Sequence, residues 1–265
     1  MKALLGDHPV TRHFKETAPL DFADVKVAHP HFKRVVRDLE FDFAELAIVT
    51  FLLAKAHGKP LRLLPAVVMT RFQHPFLVST KNLRPKDLEG KRVGQRSYSV
   101  TTATWMRGML EQDYGVNLDR INWVTFEEPH VAEFVDPPNV VRASEGKDVT
   151  QMLLAGELDA AILGERPTYG TLQPVIPDPD AAAETWRRKY GAIQINHMVA
   201  VKNTVSRHQA REIYDRLVES GRVAGSPETH PFGIEENRRN LEVAIDCVYR
   251  QKMIPRRYAV EELFE

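Results

Sequence analysis

Short apolar runs closed by turn residues alternate along the chain with stretches whose apolar positions repeat at helical spacing. That alternation is the signature of βαβ units and predicts an α/β protein with mainly parallel sheet. Strands are expected at Lys2–Leu5, Ala23–Val27, Glu45–Ile48, Leu61–Val68, Phe76–Val78, Arg92–Gly94, Ile121–Thr125, Ala160–Leu163 and Gln194–Val201. Phe32, Val35, Val36 and Leu39 fall on one face of a helix over Phe32–Leu39. Asp148 is placed to cap a helix at Val149–Leu154, and Gly156 to end it in the left-handed conformation before the next strand. Gly94–Ser99 leads from a strand into a helix whose apolar face holds Ala103, Met106 and Leu110, with Trp105 and Met109 beside them. From Ser206 onward the pattern is mostly helical, clearest at Glu212–Val218 and Glu235–Arg250. Proline-rich stretches at Glu127–Pro138 and Pro174–Pro179 read as surface excursions.

Composition narrows the picture. With 265 residues and 43% hydrophobic content, the chain is long enough for two lobes. Lys+Arg 36 balance Asp+Glu 36, and no block of like charge occurs, so neither nucleic acid nor an anionic membrane is an expected partner. Cys247 is the sole cysteine, which excludes an internal disulfide, and its setting in Leu241–Cys247 reads as a buried helix thiol. The first apolar run is too short for a signal peptide and no run reaches the roughly 18 residues of a membrane span, so a cytoplasmic location is expected. There is no Walker loop, no dinucleotide-binding glycine fingerprint, no serine elbow and no His-Glu-x-x-His pair, which removes support for the chemistries those motifs carry.

The order of motifs resembles the type II solute-binding fold and, within it, the 4,5-dihydroxyphthalate decarboxylase-like branch. The general resemblance lies in Asp87-Leu88-Glu89-Gly90-Lys91-Arg92-Val93-Gly94 and Leu154-Ala155-Gly156-Glu157-Leu158-Asp159-Ala160. Glu40–Ala47 adds to the similarity, and the narrower one lies in Arg71-Phe72-Gln73-His74-Pro75, in the Thr-Thr-x-x-Trp-x-Arg-Gly helix of the Tyr98–Gly108 segment and in the late His of Ile195-Asn196-His197. Gln73-His74-Pro75 departs from the family's usual Arg-His-Ser, and the chain is shorter than typical members. The resemblance implies a two-lobed fold with a ligand cleft between lobes. Lobe one would take residues 1–73 plus 198–265 and lobe two residues 74–197, with crossings near Arg71–His74 and Gln194–Val199.

On that frame certain side chains stand out. Ser99, Thr101 and Thr102 open a helix whose free N–H groups suit a carboxylate, although Ser99 as a simple cap serves equally. Arg71 is able to clamp a carboxylate with two parallel hydrogen bonds, or is an ordinary surface arginine; Arg107 lies too far into the helix and reads as structural. His74 and His197, one on each crossing, offer a proton donor near neutral pH. Glu45 sits inside the apolar run Phe43–Ile48, where a carboxylate is paired, poised, or reaching solvent at a strand end. His8, Thr11, Arg12 and His13 follow the first strand, in the loop that lines the cleft in the resembled fold. His29-Pro30-His31 lacks a third ligand, so no metal is expected there.

The resemblance implies a decarboxylase without cofactor or metal, acting on a hydroxylated aromatic carboxylate of the 4,5-dihydroxyphthalate kind. His197 or His74 would be the acid, with Glu45 orienting it. Arg71, Ser99, Thr101, Thr102, Thr11, Arg12 and Asn196 would hold the anionic ligand, and Trp105 or Phe72 would stack on its ring. The alternatives are a non-catalytic protein that binds or senses a small organic anion, and another enzyme on the same fold. A homo-oligomer is compatible with either.

Overall fold

In the computed structural model, which describes residues 1–168, 170–225 and 229–265, the chain forms two compact units. One comprises Met1–Arg71 and Ala192–Glu265, the other Phe72–Gly191. The return thus falls at residue 192, ahead of a strand that begins at Ile195, and not at the 197/198 boundary expected from sequence. A division at 197/198 would cut through a hydrogen-bonded ladder.

In chain order, the first unit supplies β1 (Lys2–Leu4), α1 (Pro9–Thr17), β2 (Asp21–Phe22), α2 (Phe32–Val36), β3 (Phe43–Ala47), α3 (Ile48–Ala56) and β4 (Leu61–Thr70). The second supplies β5 (Leu77–Ser79), β6 (Arg92–Gln95), α4 (Thr101–Gln112), β7 (Asn122–Thr125), β8 (Val140–Arg142), α5 (Val149–Leu154), β9 (Ala160–Ile162), β10 (Gln173–Pro174) and α6 (Pro179–Tyr190). The first unit resumes with β11 (Ile195–Lys202), α7 (Arg207–Val223) and α8 (Ile234–Arg250). No described helix is long and apolar enough to cross a membrane.

The first unit's sheet has the order β2-β1-β3-β11-β4. β1 runs parallel to β2 and β3, whereas β11 runs antiparallel to both β3 and β4. The second sheet, β10-β5-β9-β6-β7-β8, is likewise mixed, with antiparallel pairs at its β10 and β5 side. Apolar periodicity reports burial and not strand direction, so the expected mainly parallel sheet is corrected to two mixed sheets. The expected strand Ala23–Val27 is also corrected: the paired residues are Asp21 and Phe22. β8 and β10, short and at the sheet edges, carry too few apolar residues to have been predicted.

One face of the first sheet is covered by α1 and α7. Ala3, Leu5, Phe43, Leu64, Val199 and Val201 pack there against Val10, Phe14, Ile213 and Leu217. Each such aliphatic or aromatic side chain contributes about 1.5–3 kcal/mol when fully buried. In the second unit Val78, Val124, Met152, Leu153, Leu158 and Ala161 form a smaller core under α5, whose N-cap Asp148 accepts the Gln151 N–H at 2.9 Å. Gly156 takes φ 74°, ending that helix as its sequence position predicts.

Candidate functional site

Side chains two apart on a strand share a face of the sheet. Phe43 points into the core under α1 and α7, so Glu45 is the polar end of the same row. On β11 the row Val201, Val199 ends likewise in His197. Val199 lies opposite Glu45 and His197 opposite Ala47, which makes Glu45 and His197 diagonal neighbours, within reach of long side chains. Because β11 is antiparallel to β3 and β4, its first residues lie at the C-terminal ends of the parallel strands, the edge where open α/β sheets place ligands.

The pairing of β11 with β4 slips at this point. Ile195 faces Thr70 and His197 faces Met69, leaving Asn196 as an extra residue, and further register shifts follow on either side of Met198. Bulges of this kind re-aim side chains and gather near functional sites. Pro65 lies within β4, the sheet's edge strand, where the missing N–H costs least.

The third contributor is the turn after β1. Gly6 donates its N–H to Glu45 Oε2 at 2.8 Å, and His8 Nε2 lies 2.9 Å from Glu45 Oε1. His197 Nδ1 lies 2.6 Å from that same oxygen. A Cβ on Gly6 would stand 2.9 Å from Glu45 Oε2 and 3.0 Å from His8 Nε2, so any larger residue would push the clasp apart. Thr11 holds the turn, donating its hydroxyl to the Gly6 carbonyl at 2.7 Å and accepting the His8 N–H at 3.0 Å. Phe32, at the start of α2, meets the His197 ring edge-on, with centroids 5.2 Å apart.

The Glu45 carboxylate is 1% exposed, against 23% for the His8 side chain and 13% for that of His197. Burial alone would raise its pKa, but hydrogen bonds from His197 and His8 outweigh burial and hold it well below the usual carboxylate range. An ionised Glu45 accepts only, so His8 must carry its proton on Nε2 and His197 on Nδ1. The outer nitrogens, Nδ1 of His8 and Nε2 of His197, have no hydrogen-bond partner among the described residues and remain available for proton exchange.

Among the described residues, these three form the one group of at least three His, Cys, Asp or Glu side chains whose donor atoms all lie within 4.8 Å of one another. A cation bound at about 2.0–2.1 Å would hold two donors roughly 2.9–3.4 Å apart. The 2.6 Å contact is shorter than that and is a hydrogen bond. In this arrangement the cluster is able to hold and exchange protons.

The remaining expected residues fall elsewhere. Arg71 is half-buried just past β4, at the same sheet edge as His197, and its N–H donates to the Gln194 carbonyl at 3.3 Å. Asn196 is buried in the bulge. Thr11 is fully buried with its hydroxyl engaged, which corrects the expected ligand contact to a positioning role, and Arg12 is exposed.

His74 belongs to the second unit and is 2% exposed, beside Phe72. Burial pushes its pKa down to about 4, against a smaller opposing pull from Asp113. A ring that is neutral at pH 7 is a poor acid, which counts against the acid role expected of His74. Trp105 is core, edge-on to Trp186 at 5.8 Å, and Phe72 packs on that same Trp186 at 6.0 Å, so both expected ring-stacking residues are occupied by their own neighbours.

Ser99 and Thr101 are buried and Thr102 half-buried at the start of α4. The N-cap is Val100, which corrects the reading of Ser99 as a cap. Arg107, expected on the helix flank, is fully buried, donates to Gln95 Oε1 at 2.8 Å and lies 3.7 Å from the Tyr98 ring centroid. His8 is the member of the site that sequence reasoning left in a general loop. Its one signal was its place in the turn Leu5-Gly6-Asp7-His8 that follows β1.

No family model matches the chain. Its architecture is similar to that of the periplasmic aliphatic sulphonate binding protein SsuA from Escherichia coli, with a TM-score of 0.57 at 13% identity, covering 99% of this chain and 95% of that one. The chain thus has an α/β fold of the kind seen in two-lobed solute-binding proteins, with a buried His-Glu-His cluster at one sheet edge.

Among curated proteins it is 28% identical over 191 residues to a 4,5-dihydroxyphthalate decarboxylase of Comamonas testosteroni. It is 30% identical over 173 residues to one of Pseudomonas putida. The chain belongs to the 4,5-dihydroxyphthalate decarboxylase-like family. The matches take in 58% of the length of the first relative and 67% of the second.

Proposed function

We propose that the protein is a non-oxidative decarboxylase of a hydroxylated aromatic carboxylate, of the kind its curated relatives are named for. The observation that carries this reading is the buried Glu45 carboxylate clasped by two imidazoles, each with its outer nitrogen unpartnered among the described residues. A ring hydroxyl makes the carbon bearing the carboxylate electron-rich. Protonated His197 gives its Nε2 proton to that carbon; the bond to the carboxylate then breaks, its electron pair restores the aromatic ring, and carbon dioxide leaves. Glu45 stabilises the imidazolium before transfer and fixes the ring's orientation, a general-acid contribution of about 100- to 10,000-fold. Arg71, on the same sheet edge, holds a carboxylate by charge-assisted hydrogen bonds.

The test is incubation of the purified protein with 4,5-dihydroxyphthalate and related hydroxylated aromatic acids. Carbon dioxide release is expected, and in heavy water deuterium at the vacated ring position. Arg71→Ala should raise KM about 10- to 100-fold, the value of one or two charge-assisted hydrogen bonds, with kcat little changed. Tight binding across the panel without turnover would overturn the reading. It would favour binding of a small organic anion instead, a second reading supported by the near-full-length likeness to the sulphonate-binding protein.

A further inference from the structure

One proton donor suffices for ring protonation, yet two imidazoles grip the same carboxylate oxygen, at 2.9 Å and 2.6 Å. A single buried negative charge balances a single imidazolium. Charging both rings would leave a net positive charge over a carboxylate that is 1% exposed, and like charges that close resist joint ionisation. The other charged or titratable groups facing His8 do not change this count: Asp7 is engaged by Lys15, and half-buried His230 is a further base held below its ordinary pKa by burial and then by His8. The shared oxygen therefore favours one imidazolium beside one neutral imidazole, an acid and a base about one carboxylate apart.

We infer that His8 is a second catalytic residue, the base that removes the proton of a ring hydroxyl through Nδ1 while His197 protonates the carboxylate-bearing carbon through Nε2. The inference rests on the decarboxylase reading and narrows its substrates to rings with a free hydroxyl conjugated to that carbon. The protons balance. The hydroxyl proton moves to His8 and the His197 proton to the ring carbon, so the cluster's charge is unchanged and only its location shifts from His197 to His8. Loss of carbon dioxide leaves a phenolate, which takes its proton back from His8. His197 regains a proton at Nε2 from solvent, the one proton consumed per turnover. His8 suits the base role because it is the more exposed ring and its Nε2–H is fixed on Glu45, leaving Nδ1 as the lone pair.

The experiment uses the full chain with a chromogenic probe, a nitro-substituted para-hydroxybenzoate whose phenolate absorbs at longer wavelength than the phenol. Wild-type protein should ionise the bound probe below the probe's own pKa, and His8→Gln, which can still donate to Glu45, should not. In turnover His8→Gln should lower kcat about 100-fold with KM unchanged. The deficit should shrink as ring substituents make the hydroxyl more acidic, and added imidazole should restore part of the rate to His8→Ala. A deficit equal for all substrates, or probe ionisation by His8→Gln at the wild-type level, overturns the inference. Probe ionisation by wild type without carbon dioxide release from any acid overturns the decarboxylase reading and leaves the base assignment standing. Absence of both from wild type overturns the two together.

Discussion

Glu45 and His74 are equally hidden from water, one in each unit, and burial has left them in opposite conditions. Burial penalises the charged form of any group. At Glu45 three N–H donors, from Gly6, His8 and His197, answer that penalty and keep the carboxylate ionised. At His74 the neighbours are Phe72 and, more distantly, Asp113, and Nδ1 has no hydrogen-bond partner among the described residues, so the ring gives up its proton instead. The same depth yields a working charge in one place and an inert ring in the other. What decides is the set of partners, which is why Glu45 anchors the proposed chemistry and His74 does not.

The largest expected break in this contrast comes from Glu45→Gln, which keeps the shape but replaces one accepting oxygen by an NH2 group and cannot stabilise an imidazolium. Turnover of the aromatic acid should fall about 100- to 10,000-fold, read as carbon dioxide release, with the fold intact by circular dichroism.

Next is acid stability. His74 has a folded pKa of about 4 against an ordinary 6.5, so the unfolded chain binds the proton more readily between those values. The stabilising effect of its neutrality is complete above pH 6.5 and lost as pH falls towards 4. It amounts to about 3 kcal/mol, measurable by urea unfolding across that window. His74→Gln should flatten that part of the curve and change kcat by less than about threefold. Glu45 departs downward from 4.5, so its contribution is present above that pH and is lost only below it; Glu45→Gln should remove the acid limb that remains in His74→Gln.

Gly6→Ala tests whether the clasp depends on close backbone approach. Its Cβ meets both Glu45 and His8, and the expected cost is about 1–3 kcal/mol in urea unfolding, with kcat reduced more than KM is raised. The smallest effect should come from chelation: dialysis against EDTA should leave turnover unchanged, since the 2.6 Å contact is a hydrogen bond. A rate restored by zinc would reassign the cluster.

Much of the fold was legible along the chain, because strand and helix periodicity follow from which side chains must be hidden. Lys2–Leu4, Leu61–Thr70, Val149–Leu154 and the helix through Glu235–Arg250 stand where apolar spacing and caps put them. Strand direction was not legible: β11 runs against β3 and β4 in the first sheet, and β5 runs against β9 and β10 in the second. Glu45 announced itself as a carboxylate inside an apolar run, and His197 through the motif that closes the resemblance.

The sequence by itself determined that a carboxylate would stand inside the apolar run Phe43–Ile48 and that histidines would follow the first strand and lie on the last. Only the tertiary structure decided which of them meet. Glu45 lies 37 residues from His8 and 152 from His197, separations that no local pattern spans. They are joined by the parallel pairing of β1 with β3, the antiparallel return of β11 and the bulge at Asn196. The same folding sent His74 beside Phe72 in the other unit, where burial outweighs the weaker pull of Asp113 and holds the ring neutral.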